Sequence, residues 1–219
     1  MADILVINPN SSKAVTRSME ACLSPFAGNG HAISCIELEK SPPGIETDVH
    51  VEMVVPNLVE AVSGARADAI VVACFSDPGI ERVRAAARVP VTGIAEAAYL
   101  AALGLGDRFG IVSLGPSSIG RHLRYLQHLK LDQRLAGDRS IDMTIVELVA
   151  ADVVEKVSAT AAKLRDEDGA DVIILGCAGL GSYRMALQDR LGLPVVDPVQ
   201  AGVALASTHA ELSYIGRAK

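Results

Sequence analysis

Residues 67–74 read ADAIVVAC, and residues 170–177 read ADVIILGC. Each segment is a short apolar, β-branched run of the kind that forms a strand buried on both faces, and each ends on a cysteine. A short segment of helical period follows, and then a further strand signal, VPV at 89–91 and LPV at 193–195. Because the same order of elements recurs, the sequence predicts an internal repeat of α/β units.

The repeat extends, more loosely, to the start of each half of the chain. ILVINPNSS at 4–12 is matched by GIVSLGPSS at 110–118. Short β-branched runs alternate throughout with longer Ala-rich segments, which is typical of a parallel sheet covered by helices on both faces. We therefore predict an α/β fold of two similar lobes related by a pseudo-twofold axis. Residues 1–97 with 199–219 form the first lobe, and residues 98–198 form the second.

The pattern predicts eight strands and eight helices. The strands lie at 3–8, 32–38, 68–74, 90–94, 108–114, 141–146, 171–176 and 194–197. The helices lie at about 12–24, 50–65, 78–88, 96–103, 117–129, 148–168, 182–191 and 198–211.

Composition excludes several classes of protein. Half of the 219 residues are hydrophobic and only 3% are aromatic, which is usual for an α/β enzyme and excludes a disordered or fibrous chain. The net charge of −6, with no basic run, argues against a nucleic-acid partner. The longest apolar stretch, 69–75, is far shorter than the roughly 20 residues that span a bilayer. With no signal-peptide pattern at the start, we expect a cytoplasmic protein without a membrane partner.

Two of the four cysteines occupy matching positions in the repeat. Cys74 and Cys177 each fall at the end of a predicted buried strand, just before a helix. Open α/β sheets bind ligands outside the carboxyl ends of their strands. If the lobes face each other, the two thiols meet across a cleft, and Asn8 and Ser113 arrive at the same rim from the first strand of each lobe.

A pair of thiols suits the racemisation of a carbon next to a carbonyl group. One thiolate removes the proton on one face while a thiol returns a proton on the other, and the two enantiomers exchange these roles. Backbone N–H groups and helix N-termini favour a thiolate. Asp77 before Pro78 is interpreted as an N-cap, and the small residues 178–182 predict a turn whose N–H groups stabilise an enolate.

The remaining candidates are weaker. Cys22 follows a helical apolar face and Cys35 lies on a strand, so both are assigned to the core. The wide spacing of the cysteines, without a histidine at ligand distance, predicts neither a metal site nor a disulfide framework. The five histidines share no spacing that suggests a site, and surface or core positions are expected. Glu46 is interpreted as a solvated charge in preference to a substrate-facing acid.

At these residues the chain resembles the hydantoin racemase branch of the aspartate/glutamate racemase superfamily. The resemblance spans nearly the whole chain and rests on five stretches, which are NPNS at 8–11, GIE at 44–46, ACFSDPG at 73–79, GIAEA at 93–97 and GCAG at 176–179. It implies two flavodoxin-like lobes with four-stranded parallel sheets, an active site in the cleft between them, no cofactor and assembly as a homo-oligomer. It also implies Cys74 and Cys177 as acid and base, and 5-monosubstituted hydantoins or allantoin as substrates. The substrate-binding residues expected on this basis are Asn8, Phe75, Ser76, Ser113, Ala178 and Gly179.

The sequence departs from that family at one place. Many hydantoin racemases carry two threonines where this chain has Ser113 and Leu114, which puts the substrate in question more than the mechanism. Three alternatives therefore stay open: an aspartate or glutamate racemase, a maleate-type isomerase, and a small-ligand-binding relative without catalysis.

Overall fold

The computed structural model describes residues 1–150 and 152–216, without the side chain of Val149. Its strands are β1 (Asp3–Asn8), β2 (Ala32–Glu37), β3 (Ala69–Val72), β4 (Val91–Gly93), β5 (Phe109–Ser113), β6 (Leu135–Ser140), β7 (Val172–Gly176) and β8 (Val195–Val196). Its α-helices are α1 (Lys13–Cys22), α2 (Asp48–Gly64), α3 (Ile80–Ala86), α4 (Ile94–Leu103), α5 (Ile119–Leu129), α6 (Ile145–Ala150), α7 (Val154–Asp166), α8 (Arg184–Leu191) and α9 (Pro198–Glu211).

The strands form two four-stranded sheets in which every pairing is parallel. The strand orders are β2-β1-β3-β4 and β6-β5-β7-β8, so each half of the chain repeats one topology. Helices connect successive strands, as parallel pairing requires. The predicted fold class is confirmed. Among the described residues, no helix is both long and apolar enough to cross a membrane.

The two halves share a continuous core. Val71 of β3, Val112 of β5 and Leu175 of β7 belong to one cluster of buried side chains. The last helix, α9, packs against β3 and α4. The lobe boundaries stay a prediction, because the division after residue 97 falls inside α4 and residues 217–219 lie outside the described residues.

Two predicted elements are wrong. The strand predicted at 141–146 is a loop leading into α6, and the edge strand β6 precedes it at Leu135–Ser140. The sequence of β6, LAGDRS, has no β-branched residue and gives no strand signal. The strand forms because it pairs with β5. The helix predicted at 148–168 is two helices, α6 and α7, and residue 151 between them lies outside the described residues. Asp152 accepts a hydrogen bond from the N–H of Val154, the first residue of α7.

Candidate active site

A cavity of about 450 Å³ opens where the carboxyl ends of both sheets meet. This volume lies within the usual range of small-molecule sites, about 300 to 1,000 Å³. Its wall includes residues that directly follow the central strands of both sheets, among them Asn10, Cys74, Leu114 and Cys177. Both predicted catalytic cysteines therefore border one cavity. The predicted residues Phe75, Ser76 and Ala178 also line it.

Cys74 lies in a turn two residues beyond β3. The backbone and side chain of Ser76 both form hydrogen bonds with its thiol group, and Arg121 attracts its charged form. Arg121 is almost fully buried, and its Nε donates to the Oγ of Ser76 at 2.9 Å. The guanidinium group thus holds Ser76 against the thiol while placing a positive charge beside it.

Cys177 directly follows β7 and begins a 3-10 helix, Ala178–Tyr183. The N–H of Gly179 donates to its sulfur at 3.4 Å. Gly179 was expected to bind the substrate, but it does not line the cavity, and its amide faces the sulfur instead. The small residues expected to form a turn here form the 3-10 helix. The N–H of Gly179, in its first turn, donates to the sulfur of Cys177.

Burial raises the pKa of both thiols. The pKa of Cys74 lies above its usual value because of burial, and the Ser76 hydrogen bonds and Arg121 oppose that shift. The pKa of Cys177 is raised to about 12, mainly by burial, and the N–H of Gly179 opposes that shift, while negative charge on Cys74, Asp197 and Glu46 adds to it. A negative charge on Cys74 thus disfavours a thiolate on Cys177. Arg121 is the positive charge that favours a thiolate on Cys74, and Asp77 opposes it.

Asn8 and Ser113 sit at the predicted rim with their side chains directed elsewhere. The Nδ2 of Asn8 donates to the Oδ1 of Asn10 and the Oγ1 of Thr16, which fixes the loop between β1 and α1. Ser113 donates from its Oγ to Asp138. Both side chains are fully buried, and neither residue lines the cavity. Their role as substrate ligands remains a prediction that this geometry does not support.

Glu46 departs from its interpretation as a solvated charge. It lines the cavity, and its Oε1 accepts a hydrogen bond from the N–H of Ile145 at 3.0 Å. The Oγ of Ser117 donates to its backbone oxygen. The loop that carries Glu46 thereby joins the first sheet's side of the cavity to α6 and the β5–α5 connection on the other side.

Asp77 also departs from its predicted role. It does not cap α3, whose N-cap is Gly79, but accepts hydrogen bonds from the N–H groups of Ala95 and Glu96 and so caps α4. Burial raises the pKa of this carboxyl to about 7. A Cβ on Gly93 would lie 2.3 Å from the carboxyl group, so the close approach requires glycine there.

The cavity is also lined by polar residues that the sequence pattern did not indicate, among them Asn10, Arg121 and His122. Arg121 and His122 lie in the first turns of α5, and both side chains are buried. Two adjacent polar residues in the first turn of an otherwise amphipathic helix, on the side where apolar residues are expected, are the signal that could have indicated Arg121 and His122. Arg121 also donates to the Oδ1 of Asp48 at 2.9 Å and so links α5 to α2 across the cleft.

Asp197, the N-cap of α9, is a buried acid, and its negative charge raises the pKa of Cys177. Its Oδ1 accepts from the N–H of Gln200 at 2.7 Å, while its buried Oδ2 has no hydrogen-bond partner among the described residues. Burial raises its pKa to about 6. Because this value exceeds that of the unfolded chain, protonation of Asp197 stabilises the fold below about pH 4, and the contribution is lost as pH rises through 6.

We expect Asp197→Asn to reduce the pH dependence of stability. Asparagine caps a helix as well as aspartate does, and it carries no charge to bury. Relative to the wild type, the free energy of unfolding of the variant should improve by on the order of 2 kcal/mol between pH 4.5 and pH 7.5. Urea titrations at the two pH values measure this change. An equal difference between variant and wild type at both values would contradict it.

Comparison with known proteins adds independent findings. Residues 4–206 match the family described as Asp/Glu/Hydantoin racemase. The chain is 35% identical over 218 residues to a hydantoin racemase of Paenarthrobacter aurescens, covering 96% of this chain and 92% of that protein. The structure of allantoin racemase from Klebsiella pneumoniae superposes with a TM-score of 0.94 at 31% identity, covering 98% of this chain and 90% of that one. Allantoin racemase from Pseudomonas fluorescens gives a TM-score of 0.89 at 27% identity, covering 96% and 91%.

Proposed function

The chain belongs to the Asp/Glu/hydantoin racemase family, and from that premise we propose that it racemises hydantoin-like compounds, 5-monosubstituted hydantoins or allantoin, by proton transfer between Cys74 and Cys177. The observation that carries the proposal is that both thiols line one cavity at the carboxyl ends of two sheets of identical topology. The hydantoin and allantoin racemases that resemble it over nearly their whole length support the substrate class.

The proposed reaction moves one proton off a carbon and returns another to its opposite face. The substrate carbon next to the carbonyl lies between the two sulfurs. The thiolate on one side takes the proton, the electron pair passes into the carbonyl as an enolate, and the thiol on the other side donates a proton to the carbon. One thiolate and one thiol are present before and after turnover, with their positions exchanged.

The electrostatic surroundings support a thiolate on Cys74 as the first base of the proposed reaction. Arg121 and the hydrogen bonds from Ser76 favour a thiolate there. Glu46 and Asp197 oppose a thiolate on Cys177, and a charge on Cys74 opposes it further. The proposal therefore takes Cys74 as the thiol that gives up its proton first, so the enantiomer whose α-proton faces Cys74 reacts from the favoured proton arrangement. The other enantiomer requires the less favourable proton arrangement.

The charges around the cavity favour a neutral ring over a dicarboxylate. Glu46, Asp142 and Glu147 lie along its wall, whereas Arg121 is the only lysine or arginine among its described lining residues and is already paired with Asp48. Much of the remaining wall is apolar, including Ile45, Leu114 and Ile145, which suits an uncharged ring bearing an apolar substituent.

We expect the purified protein to bring single enantiomers of a 5-monosubstituted hydantoin and of allantoin to the racemate. Loss of optical rotation at pH 8 measures the reaction. Aspartate and glutamate, followed by the same loss of rotation, serve as the comparison set together with maleate, which is achiral and is followed by the NMR signal of fumarate. Because of the carboxylates around the cavity, these diacids should show no turnover. If the rotation of both ring compounds stayed constant, the proposed substrate class would be wrong. Turnover of a diacid instead would assign the protein to one of the alternative activities.

A further inference from the structure

His122 lies buried in the wall of the cavity, where Asp138 and Phe75 hold its ring. Its ring is about 98% buried, and it lines the cavity. Its Nδ1 lies 2.8 Å from the Oδ2 of Asp138, an equally buried carboxyl group on β6. The edge of the ring meets Phe75, with ring centroids 5.0 Å apart and planes at 90°. These two contacts fix the position of the ring.

The hydrogen bonds around Asp138 determine which ring nitrogen carries the proton. Ser113 has a single hydroxyl proton, and it donates that proton to the Oδ1 of Asp138. The Oδ2 of Asp138 is then the acceptor for an N–H of His122 at Nδ1. In the neutral ring, Nε2 is therefore an unprotonated acceptor. Among the residues that the structure describes, none forms a hydrogen bond with this Nε2.

We propose that the Nε2 of His122 accepts a hydrogen bond from a ring N–H of the substrate, with Asp138 and Ser113 as the positioning residues that keep this nitrogen unprotonated. The inference deepens the proposed function by naming a specificity-determining contact on the second sheet's side of the cavity. A ligand that fills the cavity displaces water from this nitrogen, so a ligand without a donor leaves the acceptor unpaired and binds more weakly. The contact thus selects cyclic imides and ureides that carry an N–H over esters or N-substituted analogues.

The test uses unsubstituted hydantoin and its N1-methyl and N3-methyl derivatives. These probes are achiral, so their binding is independent of any racemisation. Ligand-observed NMR titration gives the three dissociation constants. We expect the wild type to bind one methyl derivative about tenfold or more weakly than hydantoin, because methylation removes the N–H that His122 accepts.

Two variants separate this contact from a structural role. In His122→Asn the amide group replaces the Nδ1–H that satisfies Asp138, while the atom corresponding to Nε2 is deleted. In Asp138→Asn the amide donates to Nδ1, which moves the ring proton to Nε2 and turns the acceptor into a donor. In both variants, the dissociation constants of hydantoin and of this methyl derivative should differ by no more than about twofold. His128→Asn is the matched control, because it is the same substitution at an exposed position of α5 and should keep the wild-type ratio.

The outcomes distinguish this contact from the racemase activity. Retention of the wild-type ratio in a folded His122→Asn or Asp138→Asn would overturn the inference, as would equal binding of all three probes by the wild type. If the wild type discriminates and the variants do not, the contact stands even where no racemisation is found, and only the proposed function fails. Absence of hydantoin binding by the wild type would overturn the inference, whereas the proposed function is decided separately by the racemisation of single enantiomers.

Discussion

Replacing either Cys74 or Cys177 with serine is expected to lower racemisation at least about 10³-fold while leaving the fold intact. A serine hydroxyl is far less acidic than a thiol, so it supplies neither the base nor a matched acid. The change is nearly isosteric. Polarimetric rates on a single enantiomer, with thermal unfolding as the test of folding, measure the effect. Retention of most of the wild-type rate by either folded variant would refute the two-thiol mechanism.

Cys22→Ser is the matched control for this pair. Cys22 is buried in the core outside the cavity, where its thiol donates to the backbone oxygen of Met19 and contacts Asp197. Burial and the neighbouring Asp197 raise its pKa well above the usual range, so it is a neutral core thiol. We expect Cys22→Ser to change stability more than turnover per folded molecule. A selective loss of turnover would mean that a different thiol is catalytic.

Proton exchange in heavy water tests how the two thiols divide the two faces. In each single variant the surviving thiol addresses one face only, so it exchanges the α-proton of one enantiomer without racemising it. NMR on each pure enantiomer should show opposite enantiomer preferences for Cys74→Ser and Cys177→Ser. Equal loss of exchange for both enantiomers would refute the division by face. Identical preferences in the two variants would refute the symmetric arrangement of the thiols.

Removal of the Arg121 cation is expected to lower kcat/KM at pH 8 by about 10²-fold and to move the rising limb of the pH profile upward by at least about one unit. Arg121 attracts the thiolate of Cys74 and orients Ser76 against it. Without this charge, burial raises the pKa of Cys74 further. In Arg121→Met the apolar stem is retained and only the charged group is lost. The pH dependence of kcat/KM on a single hydantoin enantiomer measures both effects.

Arg124→Met provides a control with the same substitution on the same helix. Arg124 pairs with the Oδ2 of Asp48 at 2.7 Å, but its side chain is exposed and it does not line the cavity. An exposed ion pair contributes little to stability, so we expect a nearly unchanged profile. If the profile of Arg121→Met coincided with that of Arg124→Met, Arg121 would not act on the thiol.

The strand-and-cysteine repeat was predictable because its signals are local. Residues 69–72 and 172–176 are continuous apolar runs, and such runs indicate strands buried on both faces wherever they occur. The parallel topology follows from the helical segments between them. The position of Cys74 and Cys177 at the carboxyl edge of the sheets then follows from strand direction alone. That both line one cavity agrees with this expectation.

The direction of individual rim side chains was not predictable in the same way. Ser113 and Leu114 are neighbours, yet Leu114 faces the cavity and Ser113 faces Asp138. Asn8 and Asn10 also differ, with Asn10 at the cavity and Asn8 bonded to it, because Asn10 lies in the loop beyond the end of β1. Successive side chains of a strand point to opposite sides. An error of one residue in the predicted position therefore replaces a side chain that faces the cavity with one that faces the protein interior.

The sequence by itself thus determined the repeat, the parallel α/β architecture and the pair of thiols, because periodicity and strand direction are properties of short segments. Only the tertiary structure decided the edge strand β6 and the polar groups of α5. The polar strand LAGDRS is stabilised by pairing with β5, and its Asp138 meets His122 only when α5 packs beside it. Arg121 likewise reaches Ser76 and Asp48 across the cleft. These contacts join residues 16 to 73 positions apart, and their energies depend on distances that no local pattern contains.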